Sequence, residues 1–90
     1  MSNYISEIRR ECLQPARFWA QPKGPEVQEI LRRAKLTPQD ASEYLGISTK
    51  SNGRTVRKWM AEEAPIPYSA WVLLCDAAGF SPFWRIDRDE

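Results

Sequence analysis

The sequence contains no histidine and has only two cysteines, Cys12 and Cys75, among its 90 residues. Zinc sites built from cysteine and histidine need more ligands than this, and the two thiols do not form a CxxC pair. Acid–base catalysis by histidine is excluded because the chain has no histidine. We therefore expect no metal and no cofactor, and we expect two buried, reduced thiols.

Long apolar runs are also missing. No stretch approaches the length of a membrane span, and the first residues do not form the apolar run of a signal peptide. We expect a cytoplasmic protein that makes no contact with a membrane.

Signatures of catalysis are absent as well. The chain has no glycine-rich phosphate loop and no nucleophile beside a suitable base, and the spacing of Glu62 and Glu63 suggests no shared chemistry. The sequence predicts a protein that is not an enzyme. No small-molecule ligand is expected either, because the domain is too short to carry a separate sensing module.

The chain has little net charge. Thirteen basic and twelve acidic residues give a formal charge of +1, so composition alone does not indicate a nucleic-acid binder. The distribution of charge is more informative. No acid occurs between Ile47 and Met60, whereas Lys50, Arg54, Arg57 and Lys58 are all basic. On charge alone this run is either a solvated helix face or a surface for nucleic acid.

Large side chains are plentiful. Four tryptophans, three tyrosines and three phenylalanines accompany a hydrophobic fraction of 42%. Such a composition favours an ordered domain over a disordered chain. The pattern divides it into an N-terminal helix and connector (1–24), a core (25–80) and an aromatic and acidic tail (81–90).

Apolar periodicity predicts an all-α fold, a compact bundle of about five helices. The first helix is expected over 3–13, with Tyr4, Ile5 and Cys12 on its apolar side, and Pro15 stops it. The second begins at Pro25 and buries Val27, Ile30, Leu31 and Ala34.

The remaining predicted helices have clear boundaries. Thr37 and Asp40 can cap the third helix reciprocally, and Gly46 suits its left-handed end. Its inward residues are predicted to be Ala41, Tyr44 and Leu45. The fourth, around 52–62 and capped by Ser51 or Asn52, turns Val56, Trp59 and Met60 inward. The fifth extends from Pro67 to Gly79 and carries Tyr68, Trp71, Val72, Leu74, Cys75 and Ala78.

The run Leu-Thr-Pro-Gln-Asp-Ala-Ser-Glu-Tyr-Leu-Gly, residues 36–46, resembles the first helix and turn of the Cro/C1-type (XRE-like) helix-turn-helix proteins of phages and plasmids. Ile47 and Ser48 continue the likeness, and Thr-Val-Arg-Lys-Trp at 55–59 resembles the interior of the recognition helix. The similarity covers roughly residues 26–80. It departs from the family by about four extra residues between Gly46 and Trp59, and by Pro38 where glutamine is frequent.

The resemblance implies that the core at 25–80 binds DNA and contains a helix-turn-helix. It also implies that one helix of this unit reads the major groove. Its usual base-reading positions fall on Gly53 and Arg54, with Lys58 one turn later. Because glycine has no side chain to read a base, the longer loop is expected to supply Lys50 or Asn52 instead. Arginine can donate two hydrogen bonds to guanine, and asparagine can do likewise with adenine.

A second set of residues is expected to contact phosphates. The amino end of the third helix carries partial positive charge, which suits backbone docking by Thr37 and Gln39. Arg57 is interpreted as either a phosphate contact or a solvated side chain. The hydroxyls of Ser48 and Thr55 either reach a phosphate or serve in capping and packing.

Three aromatic residues follow the last predicted helix: Phe80, Phe83 and Trp84. Aromatic clusters at a surface often mark protein interfaces, and proteins of this type usually bind two symmetric half-sites as dimers. The three side chains therefore either form a homodimer interface or cover the core of the monomer.

These features together predict a sequence-specific transcriptional regulator of double-stranded DNA. The expected role is a repressor or autoregulator of a phage, plasmid or other mobile element, bound as a dimer to a palindromic operator. The alternative is a helix-turn-helix-derived adaptor, antitoxin or inhibitor that binds protein and does not read DNA. The acid-free segment at 47–60 favours DNA, because an adaptor does not need to exclude acids there.

Overall fold

A computed structural model describes residues 8–47 and 52–85. These residues form four α-helices: α1 (Gly24–Ala34), α2 (Pro38–Leu45), α3 (Arg54–Met60) and α4 (Tyr68–Ala77). Two 3-10 helices, Arg10–Cys12 and Ala16–Phe18, precede them, and no strand occurs in these two ranges. The predicted all-α class is confirmed. None of the four α-helices is long and apolar enough to cross a membrane.

The predicted count of about five helices is wrong for the described residues. In the described part of the helix expected over 3–13, the structure has an extended Arg9 (φ −59°, ψ 142°) followed by the short turn Arg10–Cys12. The backbone N–H of Arg9 donates to a carboxylate oxygen of Glu26 at 3.0 Å, so it is not available to an α-helix. Tyr4 and Ile5, which belonged to the predicted apolar stripe, lie outside the described residues.

Glu26 in α1 binds this N-terminal segment. Its carboxylate is buried, and it receives two bonds from the Arg9 guanidinium, both at 2.9 Å. It also accepts the backbone N–H of Lys23 at 2.7 Å, which closes the first turn of α1. Burial alone would raise the pKa of Glu26, but the bonds from Arg9 and Lys23 outweigh burial and lower it to about 2. Glu26 is therefore ionised and holds residue 9 against α1.

A second buried acid, Glu29, binds two arginines near the carboxyl end of α1. Glu29 pairs with Arg32 and with Arg33, each at 2.6 Å. Hydrogen bonds from Arg32, followed by those from Arg33, lower the pKa of Glu29 to about 2 against the opposing effect of burial. The helix ends at Ala34, and the next residue, Lys35, caps it in the left-handed conformation (φ 61°). Both arginines stand near the carboxyl end of α1, where positive charge is favourable.

The core lies where α1 packs against α3 and α4, with α2 against the same two helices. Trp71 of α4 is fully buried, and its indole N–H donates to the Cys12 carbonyl at 2.7 Å. Cys12 and Cys75 are both buried and free, as predicted. The other buried apolar residues are Val27, Ile30, Leu31, Ala41, Val56, Trp59, Ile66, Ala70 and Leu74.

One predicted core residue is exposed. Tyr44 was expected to face inward with Ala41 and Leu45, yet 44% of its surface is accessible. The buried side of α2 is centred on Ala41 and Ser42, and the Ser42 hydroxyl donates to the Pro38 carbonyl at 3.0 Å. The inward face of α2 is occupied by the small side chain of Ser42, whose hydroxyl already has a hydrogen-bond partner. The ring of Tyr44 remains at the surface.

Candidate nucleic-acid interface

The helix α3 separates its residues into two opposite faces. Val56 and Trp59 are buried against the rest of the domain, and Met60 is half-buried beside them. With about 100° between successive residues, the exposed residues Arg54, Arg57 and Lys58 lie on the opposite face, and the exposed Thr55 lies on its flank. The packed side fixes the helix on the domain, and the solvent side carries three cations and a hydroxyl.

The start of α3 differs from the prediction. The helix begins at Arg54, two residues later than expected, because the residues before it adopt left-handed conformations at Asn52 (φ 57°) and Gly53 (φ 80°). Gly53 is the N-cap and forms no side-chain capping bond. The expected cap at Asn52 is therefore wrong, and Ser51 lies outside the described residues. Asn52 is exposed just ahead of the helix.

The amino end of α2 is capped as predicted. The Asp40 backbone N–H donates to Thr37 Oγ1 at 3.0 Å, and the Thr37 N–H donates to the Asp40 carboxylate at 3.4 Å. Pro38 occupies the first turn, where its missing N–H costs nothing. Gln39 is half-buried, and its amide donates to Glu43 at 3.2 Å. At the other end of α2, Gly46 is left-handed (φ 74°) as expected.

The amino ends of α2 and α3 meet. The Cα of Gly53 approaches the backbone of Pro38 and Gln39 so closely that a Cβ on residue 53 would lie 2.7 Å from the Pro38 carbonyl carbon. The structure thus brings the predicted positions Thr37 and Gln39 of α2 to the end of α3 that carries Arg54. The other predicted positions in the intervening segment, Ser48 and Lys50, lie outside the described residues.

The charge around this surface is uneven. Among the described residues neither Arg54 nor Lys58 forms an ion pair with a carboxylate. The nearest acids along the chain, Glu62 and Glu63, follow the end of α3, and Glu62 accepts the backbone N–H of Gly24 at 2.8 Å. The exposed side of α3 therefore presents positive charge that suits a polyanion.

The three C-terminal aromatic residues are half-buried and pack against the core. Phe83 and Trp84 meet edge to face with ring centroids 4.8 Å apart, and the Arg33 guanidinium lies 5.5 Å from the centre of the Phe80 ring. Each ring keeps part of its surface accessible to solvent. Phe18 is more exposed, at 66%, and the sequence analysis did not single it out.

Sequence reasoning also missed the buried acids of α1, Glu26 and Glu29, and the close approach of Gly53 to the backbone of α2. Acidic residues on an apolar helix face gave no signal of burial, because their partners are set by the tertiary fold. Among the described residues no cluster of three or more metal-ligating side chains occurs.

Two curated proteins of Escherichia coli, both named transcriptional repressor protein KorC, are similar to this chain. One is 52% identical over 80 residues, which cover 89% of this chain and 93% of the relative. The other is 50% identical over 78 residues, which cover 87% of this chain and 91% of the relative. No family model and no solved structure matches the chain.

Proposed function

The chain belongs to the family of the KorC transcriptional repressors, and from this premise we propose that it represses transcription by placing α3 in the major groove of an operator. The family confirms the predicted class of function, a DNA-binding transcriptional repressor. The main support for this mode of DNA binding is that α3 has a buried face, with Val56 and Trp59, and an exposed basic face.

In this arrangement α2 and α3 act as a Cro/C1-type helix-turn-helix. Arg54 and Lys58 stand one turn apart on the exposed side and are the base-reading residues, with Asn52 and Lys50 contributing from the preceding segment. Thr37, Gln39 and Ser48, together with Thr55 and Arg57, hold the phosphate backbone. The contact between the two helix starts supports this division, because it sets the phosphate-facing end of α2 beside the base-reading end of α3.

The proposed operator is palindromic and belongs to a plasmid or another mobile element. A seven-residue reading helix covers only a few base pairs, so two copies related by a twofold axis would give a site of adequate length. The partly exposed rings of Phe80, Phe83 and Trp84 are the proposed contact between the copies. The repressor works in the cytoplasm, where it occupies its promoter and blocks transcription.

The first experiment is a selection from a random DNA library with the purified protein, followed by binding measurements between about 50 and 200 mM salt. We expect an enriched site with two half-sites about 34 Å apart and a steep loss of affinity with salt. No enrichment, with weak binding or none, would refute DNA readout and favour the protein-binding adaptor.

The dimer is tested separately. Sedimentation over a dilution series, with and without the selected operator, should show a protein dimer that DNA stabilises. A monomer under every condition would rule out the proposed interface while leaving DNA binding intact.

A further inference from the structure

The short helix α3 is held at both ends by backbone contacts that only glycine permits. We infer that Gly53 and Gly24 are positioning residues for DNA recognition, which together fix the tilt of α3 on the domain. This inference rests on the proposed function, since it assigns to the two glycines the placement of the base-reading side chains.

The first contact is at the amino end of α3. A Cβ on Gly53 would lie 2.7 Å from the Pro38 carbonyl carbon, 2.8 Å from the Gln39 nitrogen and 2.9 Å from the Pro38 Cβ. Ordinary van der Waals contacts of such an atom begin at about 3.4 Å. Two of these three neighbours are backbone atoms in a capped first turn, so they cannot yield as a flexible side chain would.

The second contact is at the carboxyl end. Gly24 opens α1 and is buried, and a Cβ on this residue would collide with the carbonyl oxygen of Met60, the last residue of α3. The Gly24 N–H is also bonded to the carboxylate of Glu62 at 2.8 Å. The backbone beyond α3 is thereby held against the start of α1.

Between these two contacts α3 is held by apolar side chains. It is seven residues long, about 10 Å; Val56 and Trp59 are buried, and Met60 is half-buried beside them. These side chains hold the helix on the domain, and the backbone contacts at its two ends add a restraint on its tilt. A binding residue must be held to within about 0.5 Å of its productive place. Arg54 directly follows Gly53, so a shift at Gly53 moves the first base-reading residue.

The test compares glycines that share one backbone conformation and differ in their surroundings. Gly46 is left-handed like Gly53, yet a Cβ added to it meets nothing within 4 Å. Gly46→Ala and Gly53→Ala therefore carry the same conformational penalty, and only the second adds a collision. We expect Gly53→Ala to lower the ratio of operator to non-specific affinity by about tenfold or more, and Gly46→Ala to leave the ratio near that of the unaltered protein.

A positioning role also predicts how the substitutions combine. If Gly53 acts through Arg54, Gly53→Ala should flatten base preference at the same operator position as Arg54→Ala. Adding Arg54→Ala to Gly53→Ala should then lower the ratio of operator to non-specific affinity only a little further. A purely structural defect would reduce the folded fraction, measured by circular dichroism, without changing the base-preference profile. If the two substitutions lower this ratio independently, so that their effects add in the double variant, the inference is overturned.

Two further substitutions test the contact at the other end of α3. Gly24→Ala adds a Cβ at a residue that is not left-handed, and Glu62→Ala weakens the same contact without adding atoms. Glu62→Ala removes the bond to the Gly24 N–H, whereas Glu62→Gln removes the same charge and keeps an acceptor. We expect Gly24→Ala and Glu62→Ala to lower the affinity ratio, the latter by a few-fold, and Glu62→Gln to restore it. Should Gly53→Ala fail to fold, equal ratios for the two Glu62 variants would overturn the inference. If the unaltered protein selects no site, the proposed function itself fails.

Discussion

Arg54 is the residue on which the proposed readout depends most. It opens α3 on the exposed face, immediately after the left-handed Gly53. Sequence reasoning identified it by counting back from Val56, and the structure places it at the surface beside the start of α2. What the sequence could not predict was the first residue of the helix, because two successive left-handed residues give no apolar signal.

Arg54→Ala should relax sequence preference rather than abolish binding. Loss of a bidentate contact with a base costs about 1–3 kcal/mol of discrimination, so operator affinity should fall while affinity for random DNA changes little. Competition with unrelated DNA measures the difference. Arg10→Ala is the matched control, since Arg10 is an exposed arginine on the N-terminal 3-10 helix. Equal losses from the two variants would argue against a specific role for Arg54.

The structural role of Glu26 could not be predicted from the sequence pattern. It lies 17 positions from Arg9, and nothing in the spacing of α1 marks it as different from a solvated acid. Burial and pairing depend on where the N-terminal segment returns to the helix. That return path is a property of the whole fold.

Glu26→Gln should lower the free energy of unfolding at pH 7 by about 1.5–3 kcal/mol, the usual contribution of hydrogen bonds to a charged group. The folded pKa of about 2 lies below the ordinary value of 4.5. The stabilisation is therefore complete above about pH 4.5 and is lost as the pH falls through 2. Urea unfolding between pH 7 and pH 2 measures the effect. Glu63→Gln, at an exposed acid, is the control and should leave the curve unchanged.

The helices α1, α2 and α4 could be predicted because each has both a periodic apolar face and a marked boundary. Pro25, Thr37 and Gly46 lie within one residue of the boundaries that the structure shows. The expected helix over 3–13 had periodicity without a cap, and its described part is an extended residue and a 3-10 turn. Apolar spacing alone did not reveal that the Arg9 N–H bonds to a carboxylate.

Capping makes a measurable contribution to α2. Thr37→Ala removes the acceptor for the Asp40 N–H and should lower the free energy of unfolding by about 1 kcal/mol. Thr37→Ser, which keeps the hydroxyl, should recover most of the loss. The midpoint of urea denaturation gives both values. An alanine variant as stable as the unaltered protein would show that the capping box contributes nothing.

For the molecule as a whole, the two thiols report on the integrity of the core. Cys12 and Cys75 are completely buried, and burial raises the pKa of Cys12 to about 11 and that of Cys75 to about 12. Thiolate is the reactive form. Both cysteines should therefore resist alkylation at pH 8 in the folded protein and react rapidly in urea. Mass spectrometry counts the added groups and locates them. Rapid reaction without urea would contradict the packing of α4 if it occurs at Cys75, and that of the N-terminal 3-10 helix if it occurs at Cys12.

The contact of Gly53 with the start of α2 has a consequence for the segment that joins α2 to α3. Gly46 ends α2, and Gly53 returns the chain to Pro38, so both ends of the intervening segment are anchored independently of its length. Extending a loop costs little free energy. A change in the number of residues between these anchors is therefore expected to leave α3 in place. The length of the connection and the exposed residues of α3 can then be altered separately, each without rebuilding the frame of helices.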